Sequence, residues 1–194
     1  MEMTKALLEA NADPDVEDGL PLKQAISSNN REMIKLLLAH NASTNEDGVL
    51  TQTVMKNDVE LLKVFLKRGA NPNSKTWSGK TPLQEAAARG QVKMMDLLIN
   101  EGAGINKRGV GGENTPLMLA ASAGQVEAVK RLIAAKADLD VVNVQTGLGL
   151  FSSMLGMKGK TALTLARSKL THAKGQRKND YLEIIDALVE AGAK

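Results

Sequence analysis

The sequence predicts an all-α solenoid in which short helix-turn-helix units stack side by side and are joined by hairpin-like fingers. Three observations support this fold class. The segment from Gly79 to Ala103 has the pattern of two short helices followed by a stop. Related segments lie before and after it at a spacing of about 33 residues. The chain is 43% hydrophobic but only 2% aromatic, which suits thin helices packed in close layers.

The central unit carries the start and stop signals of two helices. Thr81 can cap the first helix, and Pro82 suits its first position because a missing N–H costs nothing there. Gly90 ends this helix, and residues 92–99 supply the apolar stripe of the second, which stops at Gly102. Each helix has about three turns, so neither is stable alone and both need neighbours of the same kind.

The landmarks of this unit recur in four other copies. A leucine opens each copy and an alanine closes it, and the two lie 20 residues apart in four of the five copies. In the last copy the distance is 30 residues. The leucines are Leu22, Leu50, Leu83, Leu117 and Leu163, and the alanines are Ala42, Ala70, Ala103, Ala137 and Ala193. The connections between copies vary in length, which indicates a constant packed unit with variable surface loops.

The order of Thr-Pro-Leu, Ala-Ala, Gly, Leu-Leu and Gly-Ala at this period, complete in 81–103 and partly repeated in 115–137, resembles the ankyrin repeat. The resemblance covers essentially the whole chain. It implies an ankyrin-repeat solenoid with β-hairpin-like fingers, and a concave binding face made of the fingers and the first helices. The sequence departs from the family where histidine usually follows Thr-Pro-Leu, because the five copies have Lys23, Thr51, Gln84, Met118 and Thr164 there.

We expect one domain over residues 1–194. Its predicted parts are a half repeat at 1–17, repeats at about 18–46, 47–77, 78–110, 111–143 and 158–194, a finger insertion at 141–159 and a helix-pair insertion at about 169–178. Because the chain opens halfway through a repeat, the helix near Leu22 would expose apolar surface with nothing stacked on it. We therefore expect that residues once preceded Met1.

Candidate partner-binding residues follow from the aligned copies. Trp77 is the only tryptophan and lies in a polar finger, so it is the first candidate for an interface anchor, although packing against a neighbouring finger would also explain it. The other candidates on the fingers and the concave face are Ser78, Lys80, Arg89, Lys107, Arg108 and Asn114.

The longest finger supplies a second set of candidates. Residues 147–157 are too apolar for a solvated linker, and loops of this length are usually functional or disordered. The segment can fold back as extra core, or it can contact a partner or line a ligand entry. Its candidate binding residues are Leu148, Leu150, Phe151, Met154 and Leu155.

Charge is unevenly distributed, although the net charge is only +3. Residues 141–179 contain seven basic residues and no acidic one, whereas residues 1–18 contain six acidic residues and one lysine. This polarity could steer an acidic partner towards the C-terminal end, or it could simply be a solvated lysine-rich surface.

Several function classes lack their required residues. The chain has no cysteine and two histidines, so neither a thiolate zinc site nor a Ser-His-Asp set is expected, and we predict no metal and no cofactor. Gly109 follows a helix stop and not a strand, which argues against a nucleotide loop. No apolar run is long enough to span a membrane. The basic segment lacks interleaved aromatics, so nucleic-acid binding is the less favoured alternative.

The sequence therefore predicts a non-enzymatic module that binds another protein, as a monomer, through its concave face and fingers. Two versions remain open. One is a stoichiometric inhibitor that inserts the finger 147–157 into an enzyme, and the other is an adaptor that bridges proteins. The compartment stays undecided, since the absence of cysteine fits both reducing and oxidising environments.

Overall fold

The computed structural model describes residues 2–76, 78–109, 114–143 and 159–194. Within these ranges the chain forms eleven α-helices and no β-strand. The helices are α1 (Glu2–Glu9), α2 (Val16–Ser27), α3 (Arg31–Ala39), α4 (Val49–Met55), α5 (Val59–Lys67), α6 (Pro82–Ala88), α7 (Val92–Asn100), α8 (Pro116–Ala123), α9 (Val126–Ala134), α10 (Ala162–Leu170) and α11 (Gln176–Glu190). The predicted all-α fold class is confirmed.

The helices form pairs, and the pairs stack in one direction. The first helices α2, α4, α6, α8 and α10 each pack against the next in that order, while α5, α7, α9 and α11 form a second, outer row. The five opening leucines lie between the layers, where none is more than 2% exposed. Burial of one such side chain contributes about 1.5 to 3 kcal/mol, so the stack depends on contacts between neighbouring repeats. The predicted solenoid is thus confirmed.

Capping fixes where the first helices begin. The Thr81 hydroxyl accepts from the Gln84 N–H at 3.2 Å, and the Gln84 side chain accepts from the Thr81 N–H at 2.8 Å. Thr115 and Thr161 cap α8 and α10 in the same reciprocal way. Each reciprocal pair satisfies two main-chain donors that the helix itself leaves without partners. The expected cap at Thr81 and proline at the first position of α6 are both present.

A ladder of side-chain acceptors joins each repeat to the next. The acceptor lies three residues after the stop alanine, and the donor is the main-chain N–H that directly follows the stop alanine of the next repeat. The rungs are Asp15 with Ser43 (2.7 Å), Asn45 with Asn71 (2.7 Å), Asn73 with Gly104 (2.8 Å), Asn106 with Asp138 (2.9 Å) and Asp140 with Lys194 (2.9 Å). These bonds hold the start of every finger at a fixed place in the stack.

The first helix pair is irregular at its start. Glu17, Asp18 and Gly19 all have positive φ, so the regular part of α2 begins after them. Leu22 itself is completely buried, contrary to the exposure expected near it, because α2 packs against α3 and α4. Apolar surface is nevertheless exposed nearby, with Met3 77% and Leu7 54% accessible to solvent.

The stretched last repeat is built mostly from a longer outer helix. The outer helix α11 has 15 residues, compared with nine in α9. Residues 169–178, where an insertion is predicted, form the end of α10, a turn and the first residues of α11. Tyr181, on α11, donates a hydrogen bond of 2.9 Å to the Ser122 carbonyl at the end of α8, which fastens the last repeat to the fourth.

Candidate protein-binding surface

Three cations on the second helices of the repeats form ion pairs with a neighbouring repeat. Arg31 pairs with Asp58 at 2.7 Å, and Lys130 pairs with Glu183 at 2.5 Å. Arg131 also forms an ion pair with Asp96. Each pair connects one repeat to the next and leaves fewer charges available for a partner on the outer surface.

The fingers carry a second set of cations. Five cations lie in or beside the fingers of the last three repeats, and none forms an ion pair with an acidic residue in the described part of the chain: Lys75, Lys80, Lys107, Arg108 and Lys160. We call these residues the finger cations. In the first of these fingers the Thr76 N–H donates to the Lys80 carbonyl at 3.0 Å and the Gly79 N–H donates to the Thr76 carbonyl at 2.7 Å. The turn resembles a hairpin without forming a strand.

Four of the predicted site residues are accessible on these fingers. Ser78, Lys80 and Lys107 are exposed, and Arg108 is half-buried. The Ser78 hydroxyl lies 2.8 Å from the Thr76 hydroxyl, so the polar finger tip is partly ordered by its own side chains. The structure thus places these four candidates where a partner could reach them.

Two predicted residues make contacts inside the stack. Arg89 is exposed, but its Nε lies 2.5 Å from the Glu85 carboxylate one helical turn earlier. Asn114 is half-buried and accepts twice, from the Gln84 side chain at 2.7 Å through its carbonyl and from the Asn143 side chain at 2.8 Å through its Oδ1. Asn114 therefore links the preceding repeat, through Gln84, to the finger that leads into the last repeat, through Asn143. Trp77, Leu148, Leu150, Phe151, Met154 and Leu155 lie outside the described residues.

A groove between α2 and α4 was not anticipated from the sequence. It encloses about 500 Å³, and half of its lining residues are exposed, so it opens to solvent. The lining residues are Lys23, Ser27, Gln52, Met55 and Lys56 from the two helices and Asp47, Gly48 and Thr76 from the adjoining fingers. The signal for it was present, because Lys56 lies six residues after its opening leucine, as does Arg89, a predicted residue of the concave face.

The polar groups of the groove are only partly satisfied within the protein. The Lys23 ammonium donates to the Asp18 carbonyl and the Lys56 ammonium to the Ser27 carbonyl, each at 2.5 Å. Neither lysine forms an ion pair with a described carboxylate. Gln52 Oε1 is buried and has no hydrogen-bond partner among the described residues.

The described ranges contain no group of three or more histidine, cysteine, aspartate or glutamate side chains that could hold a metal ion. None of their helices is long and apolar enough to cross a membrane.

The fold and these surfaces define a helical-repeat solenoid with a finger-bearing inner face. A family model described as ankyrin repeats (3 copies) matches residues 50–143, and the chain belongs to the ankyrin-repeat family. The family predicted from the sequence is thus confirmed. Ankyrin repeats indicate a protein–protein interaction module, and the fold is typically non-enzymatic.

The relatives are much longer proteins. The chain is 29% identical over 158 residues to the human transient receptor potential cation channel subfamily A member 1, covering 73% of this chain and 14% of the channel. It is 32% identical over 151 residues to the ankyrin repeat and KH domain-containing protein mask-1 of Caenorhabditis elegans, covering 77% of this chain and 5% of that protein. It is also 35% identical to the potassium channel GORK of Arabidopsis thaliana, over 51% of this chain and 11% of the channel.

Proposed function

We propose that this chain binds a partner protein with an acidic surface through its fingers and concave face, and that it does so as a monomer. The observation that carries the proposal is the contrast between two sets of charges. Three cations on the second helices of the repeats, Arg31, Lys130 and Arg131, form ion pairs across repeats, whereas the finger cations have no acidic partner in the described part of the chain. A row of like charges on successive fingers raises the positive potential along one edge of the stack.

These cations favour association with an acidic partner, while they contribute little to the stability of the fold. Exposed lysines are well solvated, and surface ion pairs contribute little to stability, so the cost of leaving these cations without partners is small. Complementary charge mainly raises the association rate and suppresses wrong partners. Since salt screens exposed charges over about 8 Å at physiological ionic strength, binding should weaken as salt is added.

A pull-down from cell extract with two charge-reversed variants tests the proposal. One variant carries Lys80→Glu and Lys107→Glu on the fingers, and the matched control carries Lys67→Glu and Lys93→Glu on α5 and α7. Both change the net charge equally. We expect the amount of bound protein to fall by at least about tenfold with the finger variant and to stay unchanged with the control. Equal retention by both variants, or no bound protein with a folded chain, would contradict the proposal.

The choice between inhibitor and adaptor depends on the finger insertion. Replacing Leu150 and Phe151 with serine should abolish binding by an inhibitor that uses residues 147–157, while circular dichroism still shows the fold. An adaptor that uses Trp77 should keep its partner. If the double variant unfolds, the insertion is part of the core, and the inhibitor version is wrong.

Nucleic acid is the alternative ligand for a basic surface, and its test is direct. Labelled duplex and single strands are titrated at low salt, where contacts to phosphate are strongest. Failure to bind under these conditions excludes that alternative. If nucleic acid binds and the Lys80 and Lys107 variant does not bind it, then nucleic acid, and not an acidic protein, is the ligand of the finger cations.

A further inference from the structure

We propose that the groove between α2 and α4 receives a short segment of the partner protein in which one carboxylate side chain lies next to an apolar side chain. The inference rests on the proposed function and adds the chemistry that this part of the concave face would recognise. The groove is built from two neighbouring repeats and two fingers, and its volume of about 500 Å³ lies within the range of ligand sites.

The net charge of the groove lining favours the binding of one carboxylate. The lining contains two lysines and one exposed aspartate, Asp47, which leaves one net positive charge. Lys23 and Lys56 each donate to a neutral carbonyl, so both ammonium groups can still strengthen their interactions by meeting an anion. A carboxylate balances the net charge. A phosphate carries about −1.5 to −2, which exceeds the net charge of the lining, and Asp47 would repel it more strongly than it repels a carboxylate.

Two residues that line the groove, Met55 and Gln52, favour an apolar side chain and a main-chain N–H donor in the bound segment. Met55 is 51% exposed although it lies on a helix packed into the stack, and its flexible thioether can adapt to different apolar side chains. Gln52 Oε1 is buried without a hydrogen-bond partner among the described residues, so it is available to accept one. A protein segment supplies an amide N–H beside its side chains, which a free carboxylic acid does not.

Peptide selection tests the inference without knowledge of the natural partner. A display library of random short peptides is selected on the folded chain, and the affinity of selected peptides is measured by fluorescence anisotropy. We expect the enriched peptides to carry aspartate or glutamate beside leucine, methionine or phenylalanine. Lys23→Glu with Lys56→Glu should weaken them by at least about tenfold, and Lys67→Glu with Lys93→Glu by less than about twofold.

Two further variants separate recognition from a general effect of charge. Lys23→Arg with Lys56→Arg keeps both cations and should retain most of the affinity. Gln52→Leu removes the acceptor at unchanged net charge and should weaken the peptides, while circular dichroism and thermal unfolding show that the chain remains folded.

The outcomes distinguish this inference from the proposed function. Selected peptides without acidic residues, or peptides insensitive to the lysine reversals, would overturn the inference. If those peptides still respond to the Lys80 and Lys107 variant, the proposed function stands. If a phosphopeptide binds more tightly than the same peptide with glutamate in place of the phosphorylated residue, the inference of a carboxylate is also overturned. Self-association of the chain that the groove reversals abolish in sedimentation would overturn the inference as well, because the occupant would then be a second copy. A folded chain that selects no peptide overturns the inference alone, because the proposed function is decided by the pull-down with the Lys80 and Lys107 variant.

Discussion

The side-chain amide of Gln84 donates a hydrogen bond of 2.7 Å to the main-chain carbonyl of Asn114 in the next repeat. The same side chain accepts from the Thr81 N–H, so one residue both caps α6 and joins two repeats. This is the position where the family usually has histidine. At the equivalent position in the next repeat, Met118 accepts from the Thr115 N–H through its sulfur at 3.4 Å, but a thioether has no hydrogen to donate onward.

Replacing Gln84 should therefore destabilise the stack. We expect Gln84→Leu to lower the free energy of unfolding by about 1 to 3 kcal/mol, because it leaves buried main-chain groups without their partners. Gln84→His should recover most of this loss, since imidazole can accept and donate at once. Urea unfolding followed by circular dichroism measures the difference. Equal stability of the leucine variant and the wild type would show that the bond contributes nothing.

The ladder can be tested at Asn73, which makes two bonds to the next repeat. Its Oδ1 accepts from the Gly104 N–H at 2.8 Å and its Nδ2 donates to the Gly102 carbonyl at 3.0 Å. Asn73→Ala should cost about 1 to 3 kcal/mol of unfolding free energy, and Asn73→Asp should cost less because it retains the acceptor. The exposed Asn100 at the end of α7 provides the control, and Asn100→Ala should change stability by less than about 0.5 kcal/mol.

Alanine substitutions at two glycines with positive φ distinguish the cost of backbone strain from the cost of steric overlap. Gly90 has φ of +68° and Gly102 has φ of +85°. An added Cβ at Gly90 would overlap the side chain of Gln125, whereas at Gly102 it would meet nothing within 4 Å. Alanine at either position should cost about 1 to 2 kcal/mol through the left-handed conformation. We expect the larger loss for Gly90→Ala in thermal unfolding, and an equal loss at both sites would mean that Gln125 moves aside freely.

Alkaline titration tests the contact between the last two outer helices. The hydrogen bond that the Lys130 ammonium donates to the Glu183 carboxylate raises the pKa of Lys130 above its ordinary value. A raised pKa means that the stabilising contribution is complete below about pH 10.4 and disappears as the pH rises through the folded pKa. The contribution is small because both side chains are exposed. NMR titration should show the pKa of Lys130 falling in Glu183→Gln and changing less in Glu127→Gln, and the reverse order would contradict the assignment.

The repeat architecture could be predicted because it depends on signals that recur in every copy. Thr81, Pro82 and the stop at Gly102 are local capping features, and repetition of such features along the chain makes each one more certain. Gln84 shows what such a pattern leaves out. Its departure from the usual histidine was visible, but the bond to Asn114 depends on the distance between two repeats, which no single repeat specifies.

The candidate site was harder to predict for the same reason. Lys80 and Lys107 were found because finger positions can be aligned by counting, whereas the groove requires two neighbouring helices to present Ser27 and Lys56 side by side. The ladder acceptors, such as Asp15, could have been found from the sequence, since each lies three residues after a stop alanine. The connecting segments vary in length, but this position within them is always aspartate or asparagine.

The ladder also determines how the molecule would respond to a pulling force. Each rung joins a repeat only to its immediate neighbour, from Asp15 and Ser43 at one end to Asp140 and Lys194 at the other. A load applied at the two termini therefore passes through the rungs in series, so the weakest junction gives way first and the repeats peel off one after another. The end-to-end length of the protein should therefore increase in steps, each corresponding to the loss of one repeat from the stack.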